Sequence, residues 1–174
     1  GYANISKVIH NESYRVDLLE TLGLQNITLS ENEIAEMFIA DLLTEIPATK
    51  LLSAVNNSSD KAIISEKAVN EPIAEINAAI SAAKSVNSKD ANANLTAGMV
   101  LMNSTKTALK QVRDIVGVTS TKYQMVADNL AKQILQCGIN YYNNASDDDV
   151  ESPRKAMPLQ AYALQIAIGQ LTKD

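Results

Sequence analysis

Hydrophobic residues recur along most of the chain three and four positions apart, which is the spacing of one face of an α-helix. The clearest helix start is "LSENEI", where Ser30 is placed as an N-cap and Glu33 follows three positions later, as in a capping box. Leu29 and Ile34 are placed as a hydrophobic staple around this start. We expect the helix to end or kink at Pro47, because proline disfavours helical backbone in the residue before it.

Shorter apolar segments flank this helix. The pattern predicts a helix from about Asn11 to Leu22, with Gly23 as its left-handed C′ residue. A short apolar segment, Leu51 to Val55, leads into the polar turn "NNSSD". The next predicted helix covers Pro72 to Val86, with Pro72 in the first turn, where a missing N–H costs nothing.

Three long helices are predicted in the rest of the chain. The first covers about Ala91 to Val116 and ends at Gly117, and its apolar face is Leu95, Met99, Met102, Leu109, Val112 and Val116. The second is capped by Thr119 or Ser120. Ser152 followed by Pro153 is a strong start signal for the third. The apolar stripe of the second is Tyr123, Val126, Leu130, Ile134, Cys137 and Tyr141, and the face of the third includes Ala156, Leu159, Ala163, Leu164, Ile166 and Ala167.

Short polar turns join these segments, and no segment has a convincing strand pattern. We therefore predict an all-α fold, an antiparallel helical bundle or short helical-hairpin stack of about six helices. The 174 residues show no linker, so we expect a single helical domain over residues 1–174, and the sequence is also consistent with a fragment of a longer chain.

One hairpin invites comparison with a repeat family. In "ILQCGINYYN", Ile134, Gly138 and Tyr141 have the spacing of the bulky residue, glycine and tyrosine in the first helix of a tetratricopeptide repeat, which this hairpin resembles. Ala156 and Ala163 match the small residues of the second helix. The turn is about six residues longer than in that family, and the resemblance covers only the last ~40 residues. It implies packing roles for these residues and a scaffold for protein contacts.

The turn of this hairpin, within "NYYNNASDDDVESPRKA", is acidic. Read from Asp147 as an EF-hand loop it fails, because Ser152 stands where glycine is required and Pro158 where glutamate is required. We therefore predict no metal site here. Tyrosine is favoured at binding hot spots, so we predict a partner-binding surface. Its residues are Tyr142, Asp147, Asp148, Asp149 and Tyr162, with the simple closing of the hairpin end as the alternative role for the tyrosines.

Composition excludes several function classes. The net charge is −5 and only three residues are arginine, so a nucleic-acid module is disfavoured, as is binding to anionic lipid. No apolar run approaches the ~20 residues that span a bilayer. One cysteine excludes an intrachain disulfide. We expect a cytoplasmic protein, and the alternative is a protein whose signal peptide has been removed from this sequence.

Candidate catalytic groups are few. His10 is the only histidine, and its place beside a helix start favours a surface or capping role. Cys137 lies on the apolar stripe, which favours a buried structural thiol. Carboxylates at helical spacing, Glu33 with Glu36 and Asp41 with Glu45, favour a solvated helix face.

Function is therefore predicted mainly by exclusion. We expect a non-enzymatic helical protein-interaction or scaffolding module that needs no cofactor and binds another protein or peptide with a basic surface. One alternative is a helical enzyme in which Glu33, Glu36 and Asp41 converge in a pocket for acid–base catalysis. Another is a secreted or surface structural domain, because eight Asn-x-Ser/Thr triplets occur. They begin at Asn4, Asn11, Asn26, Asn56, Asn57, Asn94, Asn103 and Asn144.

Overall fold

The computed structural model describes residues 10–21, 23, 30–145 and 151–167, and within these ranges the chain is all-α. The predicted fold class is confirmed, with seven helices in the described residues and no strand among them. They are α1 Glu12–Thr21, α2 Glu31–Glu45, α3 Ala48–Ala54, α4 Ser58–Lys84, α5 Ala91–Val116, α6 Thr121–Asn144 and α7 Ser152–Ile166. None of the described helices has the length and apolar character that crossing a membrane requires.

The chain divides into two compact units, Gly1–Asn70 and Glu71–Asp174. The boundary falls inside α4, so one helix supplies residues to both units. The expectation of a single domain over residues 1–174 stays a prediction.

The first unit contains the predicted capping box. The Ser30 hydroxyl oxygen accepts a hydrogen bond from the Glu33 backbone N–H at 3.3 Å, and the Glu33 carboxylate accepts one from the Ser30 backbone N–H at 2.7 Å. Hydrogen bonds from Ser30, first from its hydroxyl and then from its backbone, lower the pKa of Glu33. The helix ends at Glu45, before Pro47, as predicted. Leu29 of the predicted staple lies outside the described residues.

The core of this unit is small and aliphatic. Side chains of α2, α3 and α4 form it, together with Val55, which follows α3. Its buried members are Ala35, Ile39, Leu51, Val55 and Ile64. The aromatic ring of Phe38 and the side chains of Leu42 and Leu43 pack against them and are partly buried.

The prediction that a helix begins at Pro72 is wrong. α4 begins at Ser58, and Pro72 lies inside it. Asn57 caps the true start, because its side-chain oxygen accepts from the Ser59 backbone N–H at 2.8 Å. An interior proline costs about 3 kcal/mol, but buried Val69 and Ile76 continue the apolar face on both sides of it. The free energy gained by burying these side chains therefore outweighs the local cost of the proline.

The second unit is built on α5, α6 and α7, which pack against one another. Asn94, near the start of α5, bonds to Asn140, near the end of α6, so these two helices are antiparallel. Gly98 and Lys106 of α5 meet Leu159 and Tyr162 of α7 in the same order, so α5 and α7 run parallel. The three helices form an up-down-up arrangement.

The predicted stripe of α6 is confirmed, since all six of its residues are buried. On α7, Ala156, Leu159 and Ala163 are buried, but Leu164 is 59% exposed, so its predicted place on the apolar face is wrong. The helix begins at Ser152 itself, with Glu151 as its N-cap and Pro153 in the first turn.

The predicted apolar face of α5 is confirmed in part, since Met102, Leu109 and Val112 are buried. Leu95, Met99 and Val116 are only partly buried, and smaller or polar residues take the centre of the face. The buried residues recur at three- and four-residue spacing and include Asn94, Gly98, Leu101, Thr105, Ala108 and Val112. The absence of a side chain at Gly98 allows α6 and α7 to approach α5 closely.

Candidate functional site

A groove of about 550 Å³ on the second unit is a candidate binding surface. The end of α4 forms one wall and the first half of α5 forms the other. Its lining is dominated by small and apolar side chains, including Ala79, Ala82, Val86, Ala93, Ala97 and Val100. The alanine-rich segment "NAAISAA" suits the close approach of a neighbouring helix, but the sequence did not indicate a groove here, because it does not show which helix lies beside this segment.

Charge is almost absent from the groove. Among the described lining residues, Asp90 alone is charged, and it lies at one end. Its carboxylate accepts a hydrogen bond from the Ala93 backbone N–H at 2.9 Å and so caps α5. Val100 stands in the groove with 60% of its surface exposed. The groove therefore presents apolar surface to solvent with one acidic residue at its end.

A network of asparagine side-chain amides fixes the turn between α4 and α5, the two helices that form the groove. Asn94 is 2% exposed, and its side-chain N–H groups donate to the carbonyl oxygens of Asn87 and Asp90, both at 2.7 Å. The Asn94 side-chain oxygen accepts from Asn140 at 3.0 Å, and Asn144 donates to the Ser88 carbonyl at 3.1 Å. Every hydrogen-bonding group of the Asn94 amide is thus used, which fixes the turn between α4 and α5 to α6.

Two of the predicted partner-binding residues, Tyr142 and Tyr162, lie among the described residues. Asp147, Asp148 and Asp149 lie outside the described residues. Tyr142 is 56% exposed near the end of α6, whereas the adjacent Tyr141 is buried. Tyr162 lies near the other end of α6, beside Tyr123. Tyr123 and Tyr142 are nineteen positions apart on this helix, about 28 Å along its axis, so Tyr142 and Tyr162 do not form one patch.

Tyr162 has a distinct environment. The ammonium nitrogen of Lys106 lies 5.3 Å from the centre of its ring, within the range of a cation–π interaction. Burial, and then the electrostatic effect of Tyr123, raise the pKa of the Tyr162 phenol. The phenol therefore remains a hydrogen-bond donor at physiological pH.

In the first unit, His10 contacts a buried carboxylate. Its Nε2 lies 3.0 Å from Oδ1 of Asp60, a residue that is fully buried, while 32% of the His10 side chain is exposed. The Asn57 amide nitrogen lies 3.3 Å from the same histidine nitrogen. Oδ2 of Asp60 is buried without a hydrogen-bond partner in the described structure. The sequence pattern missed Asp60, because an aspartate in a first helical turn normally faces solvent.

Cys137 is buried, as predicted for a structural thiol. Burial raises its pKa, and a long hydrogen bond of 3.7 Å from Gln133 opposes this effect. The protonated thiol is therefore the stable form near neutral pH, which is the unreactive form of cysteine.

The carboxylates of the enzyme alternative have structural partners or face solvent. Glu33 belongs to the capping box, and Glu36 forms an ion pair with Lys67 at 3.1 Å. Asp41 and Glu45 are exposed on α2. Within the described ranges, no three residues among His, Cys, Asp and Glu are grouped closely enough to hold a metal ion.

No protein-family model, curated protein sequence or solved structure matches the chain. The buried positions of Gly138, Tyr141, Ala156 and Ala163 are compatible with the packing roles expected from the tetratricopeptide resemblance. The resemblance itself stays a prediction.

Proposed function

We propose that the chain is a non-enzymatic protein-interaction module, and that the groove between α4 and α5 binds an amphipathic helix of a partner protein. The observation that carries the proposal is the exposed apolar lining of the groove. Two helices with alanine on their facing sides leave room for a third helix to approach their backbones. Helix-in-groove binding is a recurrent mode of protein recognition, and it needs an apolar floor such as this one.

Charge decides the chemistry of the partner. The groove ends at Asp90, and the chain carries a net charge of −5. A partner helix with lysine or arginine beside its apolar stripe complements both, and long-range attraction increases its association rate. The acidic segment Asp147–Asp149 is a further contact for the basic residues of such a partner.

A cytoplasmic location is part of the proposal. Cys137 is a free, buried thiol, which suits a reducing compartment. The amide nitrogen of Asn94 is buried and hydrogen-bonded, so a glycan cannot be attached there in the folded chain. This observation weighs against the glycoprotein alternative at that triplet.

The test uses a displayed library of helical peptides, selected for binding to the intact chain. We expect the selected peptides to share an apolar stripe flanked by lysine or arginine. Val100→Arg places a long cation in the groove and is expected to weaken their binding at least about tenfold, because apolar contact is lost and like charges meet. Binding is measured by titration calorimetry or fluorescence anisotropy.

The matched control is Val118→Arg. Val118 is a valine of similar exposure, 52%, in the turn after α5 and outside the groove. This change adds the same charge and is expected to alter affinity less than about twofold. A failure to select any peptide, or equal loss in both variants, contradicts the proposed function.

Charge reversal of Asp147, Asp148 and Asp149 to lysine tests the acidic segment separately. The selected basic peptides are expected to bind more slowly and more weakly, and the difference is expected to shrink at high salt. Unchanged binding at low salt removes the acidic segment from the partner site and leaves the groove as the binding surface.

A further inference from the structure

A second cleft in the same unit has the opposite chemistry. It has a volume of about 150 Å³, room for roughly five water molecules. All three helices α5, α6 and α7 contribute to it. Its polar lining residues are Lys106, Lys110, Arg113, Tyr123, Tyr162 and Gln165. None of the described lining residues is a carboxylate, although the chain as a whole is acidic.

The three cations lie on one face of α5. Lys110 follows Lys106 by four positions, and Arg113 follows Lys110 by three. Two consecutive turns of the helix therefore present all three side chains on the same side. Two of them share one carboxylate: Lys110 donates to Asp114, and Arg113 lies 3.4 Å from it. The hydrogen bond from Lys110 is the main cause that lowers the pKa of Asp114, with smaller contributions from Arg113.

The net charge of the cleft favours a ligand with two negative charges over a ligand with one. Three cations and one carboxylate leave a net charge of plus two at the cleft. A phosphate monoester carries about −1.5 to −2 at neutral pH, whereas a carboxylate carries a single charge. The Nε–H and one Nη2–H of Arg113 face Asp114, so the N–H groups on the other edge of the guanidinium are those that can match phosphate oxygens, and lysine binds phosphate as a point charge.

The tyrosines complete the cleft. Lys106 is held between the Asn103 side-chain oxygen, at 3.1 Å, and the ring of Tyr162, at 5.3 Å from the ring centre. An ammonium group has three N–H donors, and the hydrogen bond to Asn103 uses one of them, so at least one remains for a ligand. Because the Tyr162 phenol stays protonated, its O–H is a further donor for an oxyanion.

We propose that the cleft formed by Lys106, Lys110, Arg113, Tyr123, Tyr162 and Gln165 binds a phosphate monoester dianion. The same chemistry is presented by a free phosphorylated metabolite and by a phosphorylated side chain of a protein. This proposal is independent of the groove, with which the cleft shares no described lining residue.

The experiment titrates the isotope-labelled full chain with inorganic phosphate, phenyl phosphate, a phosphoserine peptide and acetate, monitored by amide NMR. We expect phosphate-dependent shifts at residues 106–113 and 162–166, and weaker shifts with acetate. Lys106→Gln and Arg113→Gln are each expected to weaken phenyl phosphate binding about tenfold or more, because each removes a charged donor.

Lys132→Gln is the matched control. Lys132 is exposed on α6, nine positions beyond Tyr123 and about 14 Å along the axis, so its loss makes the same charge change away from the cleft. We expect a change of less than about twofold. Equal weakening by Lys132→Gln, or shifts that acetate reproduces fully, means an adventitious ion only and overturns the proposal, as does the absence of shifts.

The two phosphate sources are separated by the ligand series. Tighter binding of the phosphoserine peptide than of phenyl phosphate assigns the cleft to a phosphorylated protein, and the reverse order assigns it to a small monoester. Unphosphorylated helical peptides and the Val100→Arg variant report on the groove alone, so failure of the proposed function leaves this result unaffected.

Discussion

Gly98 of α5 lies so close to Leu159 of α7 that a Cβ atom on residue 98 would be 2.6 Å from the Leu159 Cδ1 atom. The same Cβ atom would be 2.9 Å from the Cβ of Cys137 on α6, an atom that cannot move without its backbone. Both distances are shorter than any tolerated carbon–carbon contact. Glycine at this position therefore sets how closely the three helices pack.

Gly98→Ala is expected to lower the free energy of unfolding by about 1–3 kcal/mol, because overpacking exceeds the gain in helix propensity. Gly138→Ala is the matched control. A Cβ atom there would meet Leu159 at 3.7 Å, an ordinary contact, so this change is expected to stabilise the chain by about 0.5–1 kcal/mol. Urea unfolding measures both. Equal effects of the two changes contradict the close approach at Gly98.

Asn94→Ala removes the centre of the amide network. It leaves the Asn140 amide N–H without its acceptor and removes one of the hydrogen bonds accepted by the carbonyl groups of Asn87 and Asp90, which keep their backbone partners, and we expect a loss of about 1–3 kcal/mol in the free energy of unfolding. Asn129→Ala, an exposed asparagine on α6, is the comparison and is expected to change stability by less than about 0.5 kcal/mol. A small effect of Asn94→Ala means that water replaces the network without cost.

The pair His10–Asp60 is expected to be strongly coupled. A double-mutant cycle with His10→Ala and Asp60→Ala should give an interaction energy of about 1–3 kcal/mol, because removing the histidine leaves a buried carboxylate unpaired. The reference cycle uses the exposed pair Glu36–Lys67, for which about 0–1 kcal/mol is expected. Similar values in the two cycles contradict a structural role for the His10–Asp60 contact.

Cys137 is expected to react with a thiol reagent only as fast as the chain opens. Burial keeps the thiol protonated and inaccessible, and the thiolate is the reactive form. Ellman's reagent, followed by absorbance, is expected to react slowly with the native chain and at once in denaturant. Rapid labelling of the native chain contradicts the buried position.

The raised pKa of Cys137 also gives the sign of a pH effect. The unfolded chain loses the thiol proton near the ordinary pKa of 9.0, before the folded chain does. The thiol therefore contributes its full stability below that pH, and the contribution is lost as the pH rises above it. Unfolding free energies of wild type and Cys137→Ala are expected to diverge in slope above this pH, and parallel curves contradict the assignment.

The sequence alone determined the helices wherever local interactions suffice. The Ser30–Glu33 capping box, the end of α2 before Pro47 and the stop at Gly117, whose φ is 81°, depend on groups within a few residues of one another. The α6 stripe was also predictable, because its large apolar side chains repeat at the helical period.

Tertiary structure decided the remainder. Pro72 lies inside α4 because burial on either side outweighs a local penalty. Asn94 and Gly98 lie on the buried face of α5 because partners on α6 and α7 complement their polarity and size. The groove, the cationic cleft and the His10–Asp60 contact each combine residues distant in sequence, and hydrophobic periodicity reports which side of a helix is apolar, not which side chains meet across helices.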